Sequence, residues 1–138
     1  MPVLVAFREE MLIQREDDVV LVRRRVKALA QERRFDTFAT AALTTATSEL
    51  TRNVWMHGGG GAAIIEEVTR QGRTGIRIEF RDRGPGIPDI ERVLRGGYST
   101  ARSMGLGLSG SRRLVDEFSI ESIVGQGTTI VIAKWKPY

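Results

Sequence analysis

The sequence contains no cysteine and a single histidine, His57. Disulfide frames, thiol nucleophiles and thiolate metal sites are thereby excluded, and a zinc site has too few ligands. Apolar runs such as residues 19–22 and 130–133 are four residues long, where a membrane-spanning helix needs about twenty. The apolar patch at residues 3–7 turns acidic at Glu9 and Glu10. It has neither a basic flank nor a small-residue cleavage site, so no secretory signal is expected and the cytoplasm is the default location. Aromatic residues are scarce too, at 7%.

Charge of one sign is in modest excess, with 21 Lys and Arg against 17 Asp and Glu, a formal net of +4. The basic residues are spread along the chain, and several stand beside acids such as Glu32, Asp36, Glu79 and Asp82. A nucleic-acid interface gathers its charge on one face and interleaves aromatics. No nucleic-acid partner is therefore expected. A diffuse positive field suits an acidic protein or the phosphates of a nucleotide.

What is present is ordinary globular material, 41% hydrophobic and 28% charged over 138 residues, which is one domain's worth. Residues 3–7 read as a short strand. Asp17 and Asp18 are set to cap a helix to about residue 31, with Val19, Val22, Val26 and Leu29 on one face. Asp36 caps a second helix to about residue 56, which the glycine run 58–61 ends. Residues 62–69 and 74–81 form a hairpin, its second arm alternating Ile76, Ile78 and Phe80 with Arg77, Glu79 and Arg81. A loop at 82–88, a short helix from Asp89, a polar stretch at 95–104, a helix over 105–117 and strands over 118–124 and 128–135 complete the chain. Hairpins and paired helices predict a two-layer α/β (α+β) sandwich, with helices on one face of a mostly antiparallel sheet.

Gly105 to Gly110 spells G-x-G-x-x-G. Without a strand directly before it and an acid about twenty residues on, it is not a dinucleotide fingerprint. A P-loop is absent. Four other pieces carry the chemistry. Glu49 and Asn53 lie one turn apart on the second helix, with His57 a turn further, at the edge of the stripe Leu43, Ala46, Leu50 and Val54. Asp82 ends a strand and is followed by Gly84 and Gly86. Gly105, Leu106, Gly107 and Leu108 open a helix whose free N–H groups suit a phosphate. Gly125, Gly127 and Thr128 turn the last hairpin. Taken singly, these are a solvated helix edge, a tight turn, a flexible helix entry and a hairpin turn.

Taken together and in this order, E-x-x-x-N, D-x-G-x-G, G-x-G-x and G-x-G-T resemble the nucleotide boxes of the GHKL superfamily, the Bergerat-fold ATPases and kinases. The stretches 82–90, 97–100, 105–108 and 113–118 are similar to those of its anti-sigma-factor serine-kinase branch, and most like the stressosome switch kinases (RsbT type). The similarity runs from about residue 17 to Trp135, and residues 1–138 are read as a single ATP-binding serine-kinase domain.

The resemblance implies a role at each matching position. Asp82 would accept from the adenine amino group, assisted by Thr128. Gly84 and Gly86 would let the backbone close over the base, and Ile87 would pack on it. Asn53 would hold Mg²⁺ through its side-chain oxygen. Gly105 and Gly107, with Leu106 and Leu108, would cradle the phosphates. Residues 96–104 would be the ATP lid, with Arg102 its cation near the γ-phosphate, although Met104 sets Arg102 one place from the sporulation-type pattern. Glu49 would be the base. ATP and Mg²⁺ are thus implied, as are STAS-domain antagonist or scaffold proteins as substrates and a PP2C-type phosphatase as partner. Two alternatives stand beside this reading: a kinase that sequesters a sigma factor, and a module that binds ATP without transferring it. The oligomeric state is left open.

Overall fold

The computed structural model describes residues 2–95 and 102–137, the side chains of 102–106 excepted. Its elements run β1 (Leu4–Ile13), α1 (Asp17–Glu32), α2 (Thr37–Met56), β2 (Gly61–Arg70), β3 (Arg73–Asp82), α3 (Ile90–Arg95), α4 (Arg102–Leu114), β4 (Glu117–Ile123) and β5 (Gly127–Trp135). The strands form one sheet in the order β1-β2-β3-β5-β4, and every pairing is antiparallel. The expected two-layer sandwich is thus observed.

The helix layer covers one face of this sheet. Ile76, Ile78 and Phe80 of β3 and Ile130 and Ile132 of β5 form a core with Val22, Val26 and Leu29 of α1 and Leu43, Leu50 and Val54 of α2. Burying each large side chain of this kind contributes about 1.5–3 kcal/mol. On the opposite face the alternation brings out charge, and Arg77 pairs with Glu66 at 2.8 Å. Gln71 and Gly72 both adopt positive φ, 53° and 76°, in the two-residue turn that matches the twist of a hairpin. Among the described residues, no helix is long and apolar enough to cross a membrane.

Asp36 caps α2 as expected, its carboxylate accepting from the Ala39 N–H at 2.6 Å. Several other boundaries differ from the sequence reading. The first strand continues to Ile13, because Glu9 is held by Arg25 at 2.6 Å instead of ending the strand. The cap of α1 is Glu16, which makes no side-chain cap bond, while Asp18 turns back to accept from the N–H groups of Gln14 and Arg15. The short helix α3 starts at Ile90, with the Asp89 carboxylate accepting from the Arg92 N–H. Finally, α4 begins at Arg102 and ends at Leu114, three residues earlier at each end than 105–117.

Candidate functional site

At one end of the sheet the register aligns Asp82 of β3, Thr128 of β5 and Ser122 of β4 as cross-strand neighbours. Above them, α2 presents Leu50, Asn53 and Val54. With Phe80, Ile87, Leu108 and Ile130 these side chains enclose a cavity of about 20 Å³ that Asp82 and Thr128 also line. A space of that size holds about one water molecule. Helix α4 forms its wall through Leu108, which is 1% exposed.

Asp82 is half-buried, and burial pushes its carboxyl above the usual range. Backbone N–H groups of Gly84 and Thr128 oppose that shift by bonding to the ionised form, the Gly84 bond being 2.9 Å. The loop after Asp82 lies directly on the glycine run that ends α2. A Cβ at Gly84 would stand 2.7 Å from the Gly58 Cα, and one at Gly58 would overlap the Asp82 side chain. Such contacts are closer than carbon atoms pack. Ile87 is buried at 7% exposure and lines the cavity. Gly86, at φ +79°, turns the loop toward it.

Glu49 and Asn53 occupy successive turns of α2, as their spacing required. Glu49 is partly exposed and pairs with Arg52 at 3.1 Å. The Asn53 Nδ2 is buried and has no hydrogen-bond partner among the described residues. Both face Gly107: a Cβ there would stand 3.3 Å from Glu49 Oε2 and 3.5 Å from Asn53 Nδ2. His57 caps the C-terminus of α2 through its N–H to the Asn53 carbonyl, and burial lowers its pKa.

The helix start expected at Gly105 needs a correction. Gly105 and Gly107 are the fourth and sixth residues of α4, whose span begins at Arg102. Only the first four N–H groups of a helix lack intrahelical partners, so the Gly107 N–H is not a free donor at a helix start. Its lack of a side chain instead admits α4 close to Glu49 and Asn53. Residues 102–104, expected in an aperiodic lid, are helical. The rest of that lid, residues 96–101, and the side chains of Arg102 and Leu106 lie outside the described residues.

Two residues that the motifs did not single out complete the site. Gly58 supports Asp82 and Gly84. Ser122 accepts from the Ile87 N–H at 2.7 Å and bonds the Thr128 hydroxyl at 2.8 Å. Its only sequence signal is a serine in the inward row Phe118, Ile120, Ser122.

The donor set fits a magnesium ion. Mg²⁺ typically takes one or two protein oxygens and completes its octahedron with phosphates and water. Asn53 supplies a buried amide with an unengaged end, the assignment of its oxygen and nitrogen being interchangeable, and Glu49 lies one turn away. No group of three acidic or histidine residues gathers among the described residues. A site completed by the nucleotide is therefore the arrangement that fits.

A five-stranded antiparallel sheet under a helix layer is the α/β sandwich of GHKL-type proteins. Residues 13–135 match the family model of the histidine kinase-like ATPase domain, and the chain belongs to that family. It is 45% identical over 123 residues to the serine/threonine-protein kinase RsbT of Bacillus subtilis, covering 89% of this chain and 92% of that one. The anti-sigma F factor of Geobacillus stearothermophilus is 30% identical over 99 residues, 67% of this chain and 66% of the relative. Among solved structures, the RsbU and RsbW domains of Rv1364c from Mycobacterium tuberculosis superpose with a TM-score of 0.64 at 19% identity, covering 96% of this chain and 34% of that one. A chain of the SiaB-SiaC complex from Pseudomonas aeruginosa gives 0.57 at 12% identity, covering 96% of this chain and 91% of that one. The family match and the kinship with RsbT define an ATP-using serine/threonine-protein kinase.

Proposed function

We propose that this kinase transfers the γ-phosphoryl group of ATP to serine or threonine hydroxyls of small STAS-domain antagonist or scaffold proteins in the cytoplasm. Released by partner switching, it then activates a PP2C-type phosphatase. Residues 1–138 act as one kinase domain in this reading. The observation that carries it is the shared placement of Glu49 and Asn53 against Gly107, beside a cavity walled by Asp82 and Thr128. Kinship with RsbT supports the protein substrate class. The kinase that sequesters a sigma factor is the second reading, favoured by the anti-sigma F relatives at 30% identity.

Asp82 accepts from the adenine amino group, and Ile87 packs on the ring. Because the cavity is about 20 Å³, the base enters by moving the α4 wall away from α2. Asn53 is the residue that would hold Mg²⁺, which when bound supplies charge neutralisation on the phosphate oxygens. Glu49 takes the proton of the acceptor hydroxyl as its oxygen bonds to the γ-phosphorus and ADP leaves. Arg102 is the lid cation and Gly105 a phosphate-side residue of the same scheme. The acceptor protein docks along α2 in this reading. Thr37, Ala41 and Thr45, four apart on α2, wall a groove of about 440 Å³ opposite Lys27 and Gln31 of α1. Glu49 is the next residue in that row.

Two substitutions test the assignment. Glu49→Ala leaves Mg-ADP affinity within a few-fold, while single-turnover transfer to a STAS-domain protein falls by about 10²–10⁴, the range of general-base catalysis. Asn53→Ala weakens Mg-ADP binding and transfer together, yet leaves metal-free ADP binding and the melting temperature close to wild type, since its amide nitrogen has no partner among the described residues. Full activity in Glu49→Ala would remove the base assignment.

A further inference from the structure

We infer that Ser122 is a positioning residue that sets the donor direction of Thr128, and through it the preference of the site for adenine. The inference rests on the reading that Asp82 and Thr128 face the base. Ser122 has one hydroxyl proton and two lone pairs. One lone pair is taken by the Ile87 N–H at 2.7 Å. Two oxygens compete for its proton: Thr128 Oγ1 at 2.8 Å and the Gly127 carbonyl at 3.3 Å. Hydroxyl hydrogen bonds run from about 2.5 to 3.0 Å, so we assign the proton to Thr128, the closer of the two acceptors.

That choice fixes the chemistry next door. With Oγ1 accepting from Ser122, the Thr128 proton is free to point into the cavity, which both Thr128 and Asp82 line. Asp82 is an acceptor in its ionised form; burial raises its pKa, and the Gly84 and Thr128 N–H groups bonded to it oppose that shift. The pair therefore presents one acceptor and one donor side by side. Adenine offers the complement on its Watson–Crick edge: the amino group donates and N1 accepts. Hypoxanthine and guanine offer the opposite, a carbonyl that accepts and an N1–H that donates. Were the Ser122 proton on Gly127 instead, Thr128 would donate to Ser122 and show the base only lone pairs.

The bond to Ile87 gives Ser122 a second task, holding the loop that packs on the base. That task serves every purine alike. Only the bond to Thr128 distinguishes one purine from another, and the ratio of two affinities isolates it.

The test measures ADP and IDP binding by calorimetry, with melting temperatures recorded for each variant. In Ser122→Ala the Thr128 hydroxyl rotates freely and can serve either base edge. ADP affinity then falls by about threefold to tenfold, the worth of one hydrogen bond, and the preference for ADP over IDP narrows by a similar factor. Ser122→Thr, which keeps the hydroxyl, keeps the preference. Thr128→Val narrows it at least as far, and adding Ser122→Ala to Thr128→Val narrows it no further, because Ser122 acts through Thr128. A Ser122→Ala protein that loses ADP and IDP affinity equally overturns the inference and leaves Ser122 a loop support. Failure of the base-site reading looks different: there Asp82→Asn itself leaves the ADP-over-IDP preference unchanged.

Discussion

Replacing Gly107 with alanine separates the demands of the α4 helix from those of the site beside it. Alanine is favoured over glycine inside a helix by about 0.8–1.0 kcal/mol. Position 107 is the sixth residue of α4, so the gain applies nearly in full. The new methyl meets Glu49 Oε2 at 3.3 Å, Asn53 Nδ2 at 3.5 Å and Glu49 Cβ at 3.7 Å. The first of these is tight, but the Glu49 side chain is 41% exposed and swings outward at little cost. Net stability therefore rises, by up to roughly 1 kcal/mol, or about 3–5 °C in melting temperature for a domain of this length. Transfer moves the other way. A base displaced by about 1 Å costs on the order of a hundredfold in rate, so single-turnover phosphorylation falls by about tenfold to a hundredfold. Thermal melting followed by circular dichroism and single-turnover transfer from labelled ATP read the two effects on the same preparation. A more stable protein with wild-type transfer would refute the placement of the reacting groups against α4. A less stable one would show that the approach of α4 to α2 has no slack.

Asp82→Asn exchanges one acceptor oxygen for a donor facing the adenine amino group, and ATP affinity falls by roughly tenfold to a hundredfold, the cost of about 1–3 kcal/mol for an unpaired donor. The same variant has a pH signature. Burial raises the Asp82 pKa, so in the window between its unfolded and folded values the native state holds more of the proton, and the wild type loses stability as pH rises through it. The melting temperature of the wild type relative to Asp82→Asn therefore climbs as pH is lowered toward the ordinary carboxylate range; a difference independent of pH refutes the buried placement. Lys27→Glu, in the groove between α1 and α2, raises KM for the acceptor protein while ADP affinity stays at the wild-type value. An unchanged KM in initial-rate assays takes the acceptor out of that groove.

Local patterns in the chain determined a good deal by themselves. The period of α2 buried Leu43, Ala46, Leu50 and Val54 and so fixed Glu49 and Asn53 on adjoining turns. Alternation in β3 sent Ile76, Ile78 and Phe80 inward and left Asp82 at the strand end. Both features depend only on residues a few places apart, where helix and strand periods hold whatever the rest of the chain does. Tertiary structure decided where the helix boundaries fell and what met at the site. The sequence motif placed Gly105 at a helix start, but α4 begins at Arg102, and packing against Glu49 and Asn53, not a free N–H, sets the requirement at Gly107. Asp17 and Asp18 read as caps, yet Asp18 reaches back to the chain before the helix. Ser122 was invisible as a site residue, because its partners Ile87 and Thr128 come from a loop 35 residues away and from the facing strand. Strand register alone aligns Asp82, Thr128 and Ser122, and register is fixed by the pairing of whole strands that bury one common face.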